Sequence, residues 1–360
     1  MRILIVSGAG GGTSTKSVGK YFHLKEFGEA LKKNNIEYKL VSELDYVVGF
    51  PTKQLKKYFT TRNKVKKLVN DFKPDLVFID RQGYFGLEIL KMKIPLFVLL
   101  RGHYWSEIEY AKNTIYKNKI MHMVIDSRKK VAEKVFAEST EILPICNYLK
   151  NIVRKYHPTQ KLSVFIEGVD STKWYKTKGM KLEHPCVGLL QDANWWRKTK
   201  EMLTLEKVIQ SMPKVHFYWA GDGQYKDEIL KVLNKFENFH WLGSLSYPEK
   251  VRDYLSELDI YAIITGMDTT PLSLKEAQLM ENPVIATNVG GNSEIMVDGK
   301  TGYLVEEGNY KDIISKISIL VDNKELAIKM GKEGREFIEN EFNLNLSVKN
   351  FLKIVKPYVN

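Results

Sequence analysis

Two carboxylates stand eight positions apart at the start of the stretch 268–305, DTTPLSLKEAQLMENPVIATNVGGNSEIMVDGKTGYLV. Asp268 lies in a predicted loop, and Glu276 lies in the helix predicted to follow it. Thr270 and Pro271 predict the helix start, with a hydroxyl N-cap and a proline at the first helical position. The free N–H groups of such a start favour an anion. Glu276 lies roughly 7–8 Å along the helix at ~1.5 Å per residue, which suits a nucleotide whose phosphates meet the helix start and whose ribose reaches the carboxylate.

Two further anion-binding features are expected on the same edge of the second sheet. The run NWWRKTK at 194–200 places Arg197 and Lys198 after a predicted strand, where guanidinium and ammonium groups suit phosphate. Gly221-Asp222-Gly223 follows the strand VHFYWA and precedes a helix. Each feature alone is weak, and solvated surface charge is the alternative for the cations. Three such features on one edge favour a phosphate site.

The elements that must position these residues alternate between strand and helix. The predicted strands lie at 2–7, 38–41, 75–79, 95–100, 141–144, 162–166, 186–190, 215–220, 239–242, 260–264, 283–287 and 302–305. The predicted helices lie at 20–33, 53–72, 85–92, 148–156, 201–210, 225–236, 248–258 and 271–280, and the last stretch, 312–359, is mainly helical. This alternation predicts an α/β protein with two Rossmann-like domains and an interdomain cleft.

The domain layout follows from a break in this alternation. We expect an N-terminal Rossmann-like domain at 1–168, a linker at 169–180, and a C-terminal Rossmann-like domain at 181–340. A C-terminal helix at 341–360 is expected to cross back to the N-terminal domain. The chain is long enough for two cores, since domains of 100–200 residues are typical.

A glycine loop follows the first strand and contains Gly10, Gly11 and Gly12. The dinucleotide fingerprint fails because Thr13 stands where its third glycine belongs, and the P-loop fails because Tyr21 replaces the required Ser or Thr. The loop therefore predicts a place where backbone approaches a ligand. A tight crossover turn is the alternative.

His103 follows the predicted buried strand 95–100. Ligands bind beyond the carboxyl ends of strands in open α/β sheets, so His103 stands where chemistry would be placed. The alternative is a packing or helix-capping residue.

The charge balance is strongly basic, with 55 Lys and Arg against 43 Asp and Glu and a net charge of +12. Nucleic acid, an anionic membrane face, anionic small substrates and a lysine-rich solvated surface are the competing interpretations. No nucleic-acid-binding motif is visible, so we expect no nucleic-acid partner. The basic amphipathic segment 53–67 carries Leu55, Tyr58, Phe59 and Val65, and it predicts peripheral contact with an anionic membrane or a helix with one face in the core.

The remaining composition indicates a cytoplasmic protein, with association at the inner face of the membrane as an alternative. The two cysteines, Cys146 and Cys186, form neither a CxxC pair nor a disulfide framework. The scattered histidines show no zinc-site spacing, so no metal is expected. No apolar run approaches the ~20 residues of a membrane span, and we expect no signal peptide.

The run EAQLMENPVIATNVGGNSEIMVDGKTGYLV resembles the C-terminal signature of the retaining GT-B glycosyltransferases of group 1, also called family 4. The resemblance continues in AGDGQYKDEI, FHWLGSL and IEGVDSTKW, and in the N-terminal glycine loop. It implies a GT-B fold, with an acceptor-binding domain at 1–168 and a nucleotide-sugar-binding domain at 181–340. It also implies a nucleotide-diphosphate sugar as donor and a saccharide or lipid-linked acceptor in glycan or cell-envelope biosynthesis. It implies no cofactor, since the nucleotide sugar is a co-substrate.

The resemblance also implies roles for particular residues. Glu276 would bind the ribose, Asp268 the hydroxyls of the donor sugar, and Lys198 the diphosphate, while His103 would lie near the donor sugar. Asp268 and His103 are therefore the expected catalytic residues. The expected donor-binding residues are Gly10, Gly11, Gly12, Arg197, Lys198, Gly221, Gly223, Leu242, Thr269, Thr270, Pro271, Leu272 and Glu276.

The chain departs from the family pattern near the donor. Asp268 replaces a glutamate, Thr269-Thr270-Pro271 replaces a glycine-aromatic-glycine run, Leu189 replaces an arginine, and Asn282 replaces a glycine. Arg197 is the expected substitute for the missing arginine. Two alternatives share the fold: a nucleotide-sugar 2-epimerase, which needs no acceptor, and a non-catalytic nucleotide-sugar-binding protein.

The expected mechanism is retaining and metal-independent. The bond that breaks joins the sugar to the diphosphate, so negative charge builds on the departing phosphate. Arg197, Lys198 and the amides of 270–272 would stabilise that charge by preorganised electrostatics. Attack on the same face of the sugar, with the leaving phosphate helping to deprotonate the acceptor, is implied by the family.

Overall fold

The chain divides into two compact α/β units in a computed structural model that describes residues 1–8, 18–48, 55–114 and 118–359. The first unit comprises Met1–Gly168 and Leu344–Asn360, and the second comprises Val169–Asn343. Each unit has its own parallel sheet. The predicted α/β class with two Rossmann-like domains is confirmed.

The described part of the first unit contains a five-stranded sheet in the order β2-β1-β3-β4-β5. Its strands are β1 Arg2–Ser7, β2 Glu37–Ser42, β3 Leu76–Ile79, β4 Leu96–Leu100 and β5 Glu141–Pro144. All neighbours are parallel. The central strands are continuous apolar runs because both faces of the sheet are covered by helices. The predicted strand at 162–166 is wrong, since this segment forms only one isolated bridge to β5, at Leu162. It still runs beside β5, where the amide of Phe165 donates a hydrogen bond to the carbonyl of Pro144.

Eight helices of the first unit lie in the described residues. They are α1 Val18–Lys33, α2 Glu43–Tyr46, α3 Leu55–Phe72, α4 Tyr84–Leu90, α5 Tyr104–Thr114, α6 Lys119–Glu138, α7 Asn147–Tyr156 and, from the C-terminal stretch, α15 Leu344–Val355. The C-terminal helix packs in this unit, where the Phe351 ring lies 4.9 Å from the ring of Phe78 and 5.3 Å from that of Phe27.

The second unit contains, in its described residues, a six-stranded sheet in the order β11-β10-β9-β6-β7-β8. Its strands are β6 Cys186–Leu190, β7 His216–Ala220, β8 Phe239–Gly243, β9 Ile260–Ile263, β10 Val284–Thr287 and β11 Gly302–Val305. The chain moves outward from β6 through β7 to β8, and then outward in the other direction from β9 through β10 to β11. The order therefore reverses between β6 and β9, which is where ligands bind in open sheets of this kind.

Helices cover both faces of the second sheet. They are α8 Trp196–Thr199, α9 Leu205–Ser211, α10 Lys226–Leu233, α11 Glu249–Glu257, α12 Leu272–Leu279, α13 Tyr310–Asp322 and α14 Lys324–Glu341. One core cluster joins α9, α10 and α13 to the sheet, and the other joins α11, α12 and α14. Helices α11 and α12 therefore share a face.

The segment 169–180, expected as a linker, packs onto the second unit. Trp174 is buried there. Arg252 donates a hydrogen bond to the carbonyl of Lys173, and Arg335 donates one to the carbonyl of Trp174. These contacts explain why the second unit begins at Val169.

Helix α3 carries most of the basic segment predicted to touch a membrane. Val65 is buried in the core of the first unit, whereas Lys64, Lys66 and Lys67 are exposed. This half of the helix has its apolar face inside the protein. Residues 53–54 and the side chains of Leu55, Tyr58 and Phe59 lie outside the described residues, so the membrane contact stays a prediction. None of the helices that the structure describes has the length and apolar character to cross a bilayer.

Candidate functional site

The loops after β6 and β9 meet at the point where the strand order of the second sheet reverses. The amide of Gly266 donates a hydrogen bond to the carbonyl of Lys198, at 3.3 Å. A Cβ atom at position 266 would lie 2.5 Å from the carbonyl oxygen of Arg197, so only glycine allows this approach. The predicted cationic loop and the loop that carries Asp268 are therefore neighbours.

Lys198 and Asp268 form an ion pair across these loops. Lys198 Nζ lies 2.9 Å from Asp268 Oδ2, and their side chains are 19% and 11% exposed. The other carboxylate oxygen of Asp268 accepts a hydrogen bond from the amide of Thr269. Burial alone would lower the pKa of Lys198, but the charges of Asp268 and Asp192 outweigh it and raise that pKa. Lys198 is therefore protonated and paired with Asp268.

Helix α12 begins one residue later than predicted. Pro271 occupies the N-cap position with extended backbone angles, and the first helical residue is Leu272. The predicted Thr270 N-cap is wrong because an N-cap needs a non-helical backbone directly before the helix, and Pro271 supplies it. Thr270 is 4% exposed, and its Oγ1 has no hydrogen-bond partner among the described residues. A buried hydroxyl without a partner beside a helix start favours a ligand there.

Two more buried polar atoms on this edge lack partners among the residues that the structure describes. They are Oε1 of Gln191, directly after β6, and Oγ1 of Thr199, at the end of α8. Both side chains are buried. Together with Thr270, these residues offer polar atoms that a ligand at the strand-order reversal could hydrogen-bond. No motif in the sequence selects Gln191 or Thr199.

Glu276 lies in the fifth position of α12 and is 3% exposed. Its Oε1 accepts a hydrogen bond from the hydroxyl of Tyr247, at 2.9 Å. Tyr247 precedes α11, which packs on the same face as α12, so the loop after β8 brings the phenol to the carboxylate. Sequence analysis missed Tyr247, because this contact joins a loop residue to a helix residue 29 positions away.

The glycine turn after β7 packs tightly against the loop after β6. A Cβ atom at Gly221 would lie 2.0 Å from the carbonyl oxygen of Gln191, and one at Gly223 would lie 2.4 Å from backbone of Ala193. Gly223 also has a positive φ. Trp241 donates a hydrogen bond from its indole to the carbonyl of Gly221. These glycines are explained by loop packing, and their contact with a donor stays a prediction.

The Gly290-Gly291 turn supports the Asp268 loop from the other side. Gly290 has φ +59°, and a Cβ atom there would lie 1.7 Å from the carbonyl oxygen of Asp268. The glycine is required both by the backbone conformation and by this approach. The stretch 268–305 therefore folds back on itself.

The other predicted donor residues of this unit lie near the same edge. Arg197 is exposed, and its guanidinium forms no ion pair with any described residue. Thr269 and Leu272 flank the helix start and are half-buried. Leu242 lies near the end of β8 and packs against the cluster on the α12 face. Leu189 is fully buried in β6, so an apolar residue suits this position.

Comparison with known proteins adds to this geometry. Residues 190–323 match the family model described as glycosyl transferases group 1. The poly(ribitol-phosphate) α-N-acetylglucosaminyltransferase of Staphylococcus aureus is 29% identical over 41% of the chain and 30% of that protein.

Residues 190–323 are a group 1 glycosyltransferase domain.

Solved structures extend the fold match to nearly the whole chain. Sucrose-phosphate synthase from Thermosynechococcus elongatus has a TM-score of 0.79 at 13% identity, over 99% of this chain and 98% of that one. Anabaena HepE, solved in complex with UDP, has a TM-score of 0.71 at 13% identity, over 99% and 100%. These likenesses show the GT-B fold, and the family model confirms the resemblance to group 1 glycosyltransferases over residues 190–323. The chain spans about a third of the length of the curated relatives it matches.

His103 belongs to the first unit, where it directly precedes α5. Its Nδ1 accepts a hydrogen bond from the amide of Ser106, at 3.2 Å. This contact satisfies one free N–H group of the helix start, as a side-chain cap does. The capping interpretation of His103 therefore has a structural basis. Its catalytic role stays a prediction.

Sequence analysis also missed a buried charge network next to His103. Arg101 follows β4 directly, and its guanidinium lies 2.9 Å from Glu167 and 3.4 Å from Asp80, all with side chains under 10% exposed. Burial raises the pKa of Asp80, while the charge of Arg101 opposes that shift. Polar residues directly after buried strands were the available signal, since Arg101 follows β4 and Asp80 follows β3, whereas His103 comes three positions after β4.

A cavity of about 310 Å³ opens at the carboxyl ends of β2 and β3 in the first unit. Apolar side chains and two arginines line it, together with the half-buried Glu43, whose carboxyl pKa is raised by desolvation. The lining includes Arg81, Arg128, Tyr84 and Tyr104. The glycine loop with Gly10, Gly11 and Gly12 lies outside the described residues.

Two groups of side chains in the second unit could approach a metal ion: Glu183 with His216 and His240, and His184 with Cys186 and Asp259. Neither contains a predicted site residue. In the first, His216 Nδ1 and His240 Nε2 are 3.2 Å apart, the ring centres are 5.5 Å apart, and the ring planes are inclined by 21° to each other. The two nitrogens thus face each other, as in an N–H···N hydrogen bond. That no metal is needed stays a prediction.

Proposed function

We propose that this chain is a glycosyltransferase that moves a sugar from a nucleoside-diphosphate sugar to a saccharide or lipid-linked acceptor in glycan or cell-envelope biosynthesis. One observation carries the proposal: Lys198, the start of α12 and the buried hydroxyl of Thr270 lie together at the strand-order reversal of a group 1 domain. Glu276 lies further along the same helix, as a ribose ligand would require. The HepE complex with UDP supports a uridine nucleotide as the first donor to try.

The site offers positive charge where a leaving diphosphate would develop negative charge. Lys198 stays protonated because the charges around it hold its proton. Arg197 is exposed and available to a second phosphate oxygen. Fixed cations and helix-start amides stabilise a developing charge without reorganising during the reaction. We therefore propose departure of the nucleoside diphosphate without a metal ion, and retention of the anomeric configuration.

The acceptor is proposed to bind the first unit at the cavity beside β2 and β3. The cavity has the size of a small-ligand site, for which about 300–1,000 Å³ is usual. Its aromatic side chains, Tyr84 and Tyr104, could pack against a sugar ring, while Arg81 and Arg128 favour an acidic group. The ribitol-phosphate named for the Staphylococcus aureus relative is an acceptor of that charge type.

A thermal-shift screen of the purified chain tests the donor part of the proposal. We expect UDP or another nucleoside diphosphate, and its sugar, to raise the melting temperature, because a ligand that binds only the native state stabilises it. Glu276→Ala should remove most of that shift. The exposed Glu306→Ala is the matched control and should keep it. No shift with UDP, GDP, ADP or their sugars would contradict the proposal.

The stereochemical part has its own test. Nuclear magnetic resonance of the first product formed from an α-linked donor should show an α-linkage, with the reaction unchanged by EDTA. A β-linked product would exclude retention, and loss of activity with EDTA would exclude metal independence.

A further inference from the structure

We propose that Tyr247 is a positioning residue for the nucleotide ribose, acting through Glu276. This inference rests on the proposed function, because it takes Glu276 as the ribose ligand. Nothing in the family resemblance or in the sequence pattern selects Tyr247. The evidence is its hydrogen bond to the carboxylate, at 2.9 Å between the phenol oxygen and Oε1.

The bond contributes to fixing the orientation of the Glu276 carboxylate. Glu276 is a flexible side chain, and its carboxylate must be oriented to accept hydrogen bonds from the two ribose hydroxyls. A phenol can donate only one hydrogen bond, so it occupies one direction at Oε1 and leaves the oxygen's remaining lone-pair capacity in place. Holding the carboxylate in this geometry before the ligand arrives reduces the ordering cost of binding.

The tyrosine is itself held in place by its surroundings. Its ring packs against the core cluster that includes α11 and α12, and its centre lies 6.1 Å from the ring of the buried Trp174. Trp174 is in turn fixed by its contact with Arg335 on α14. The phenol therefore links the Glu276 carboxylate to the packed core of the second unit.

The test compares Tyr247→Phe with the wild type, using the nucleoside diphosphate among UDP, GDP and ADP that binds best and its 2′,3′-dideoxy form. Phenylalanine keeps the ring and removes only the hydroxyl. By calorimetry, we expect the Kd of the ribonucleotide to rise about three- to tenfold, the usual effect of having to order one flexible side chain on binding. The Kd of the dideoxynucleotide should change less than about twofold, since it lacks the hydroxyls that Glu276 binds.

Two further variants separate positioning from a general structural effect. In the Glu276→Ala background, Tyr247→Phe should add no further loss, because its target is gone. Tyr218→Phe removes a phenol that accepts a hydrogen bond from the amide of Glu183, away from Glu276, and should leave both affinities unchanged.

The outcomes distinguish this inference from the proposed function. Equal losses for both nucleotides, or a further loss in the Glu276→Ala background, would overturn the positioning role while leaving the donor site intact. A wild type that binds ribonucleotide and dideoxynucleotide equally would overturn the ribose role of Glu276. A wild type that binds no nucleoside diphosphate would overturn the proposed function and this inference with it.

Discussion

Replacing Asp268 by asparagine should destabilise the second unit and strengthen nucleotide binding at the same time. The substitution keeps the shape of the side chain and removes the negative charge that lies 2.9 Å from Lys198. Breaking a buried ion pair by removing one partner leaves the other charge uncompensated and costs about 3–5 kcal/mol. Because both side chains retain slight exposure, we expect a loss near the lower end, about 3 kcal/mol.

Calorimetric melting provides the stability measurement. A loss of about 3 kcal/mol corresponds to roughly 6–12 °C for a unit of this size. The pKa of Lys198 is raised in the folded protein. The stability that the charged Lys198 contributes is therefore fully present below the pKa of an unfolded lysine, about 10.4, and is lost only as the pH rises through the pKa in the folded protein. The difference between Asp268→Asn and the wild type should therefore stay constant from pH 6 to pH 9.

The affinity of the same variant is expected to change in the opposite direction. Without the Asp268 carboxylate, the charge of Lys198 is fully available to a diphosphate, and the repulsion between carboxylate and phosphate disappears. At a separation of about 6 Å and an effective dielectric constant of about 50, that repulsion is ~1 kcal/mol, or roughly a fivefold lower Kd. Asp192→Asn is the matched control, since Asp192 is exposed and is the smaller of the two carboxylate influences on Lys198.

The reasoning fails if Asp268→Asn melts within about 1 °C of the wild type or binds UDP tenfold more weakly. Its effect on transfer discriminates between two roles of Asp268. If the carboxylate contacts the donor sugar, as the family resemblance implies, kcat should fall although nucleotide binding improves. If Asp268 serves only as the partner of Lys198, kcat should stay within about threefold of the wild type.

Two other predictions concern stability. Gly290→Ala should lower the melting temperature of the second unit by more than Gly299→Ala. Both glycines have a positive φ, but only at Gly290 would an added Cβ atom meet backbone, at 1.7 Å from the carbonyl oxygen of Asp268. Equal shifts in the melting temperature would contradict this. His184→Gln should destabilise more at pH 6 than at pH 8, because hydrogen bonds to Asp259 and Glu257 outweigh burial and raise the pKa of the imidazole. That stabilisation is present below the unfolded pKa and is lost as pH rises through the folded one, so melting curves showing a larger effect at pH 8 would refute it.

Strands were easier to predict than the helices between them. Each buried strand is a continuous apolar run, so β1, β5, β6 and β11 have the bounds expected from the sequence. Helices α5 and α6 were not predicted, because they bury few residues and their charged surfaces hide the helical period. Of the α6 side chains, only five are buried.

The contacts that define the candidate site were beyond local sequence reasoning. The residue types of Lys198, Asp268 and Glu276, and their positions in the segments that follow strands, indicated a ligand site. The sequence did not indicate which residues they contact, because Asp268 pairs with Lys198, and Glu276 with Tyr247, through tertiary packing. The start of α12 was misplaced by one residue because the sequence does not show that the backbone of Pro271 is extended.

The two ends of the second unit lie side by side. The amide of Val169 donates a hydrogen bond to the carbonyl of Phe342, at 2.7 Å, and Val169 forms a parallel bridge with Asn343. The first unit is therefore interrupted by an insertion that leaves and returns at nearly one point. A short glycine-serine joint between Gly168 and Leu344 could reconnect it, and residues 169–343 form a contiguous gene fragment that could be exchanged between related chains as a cassette.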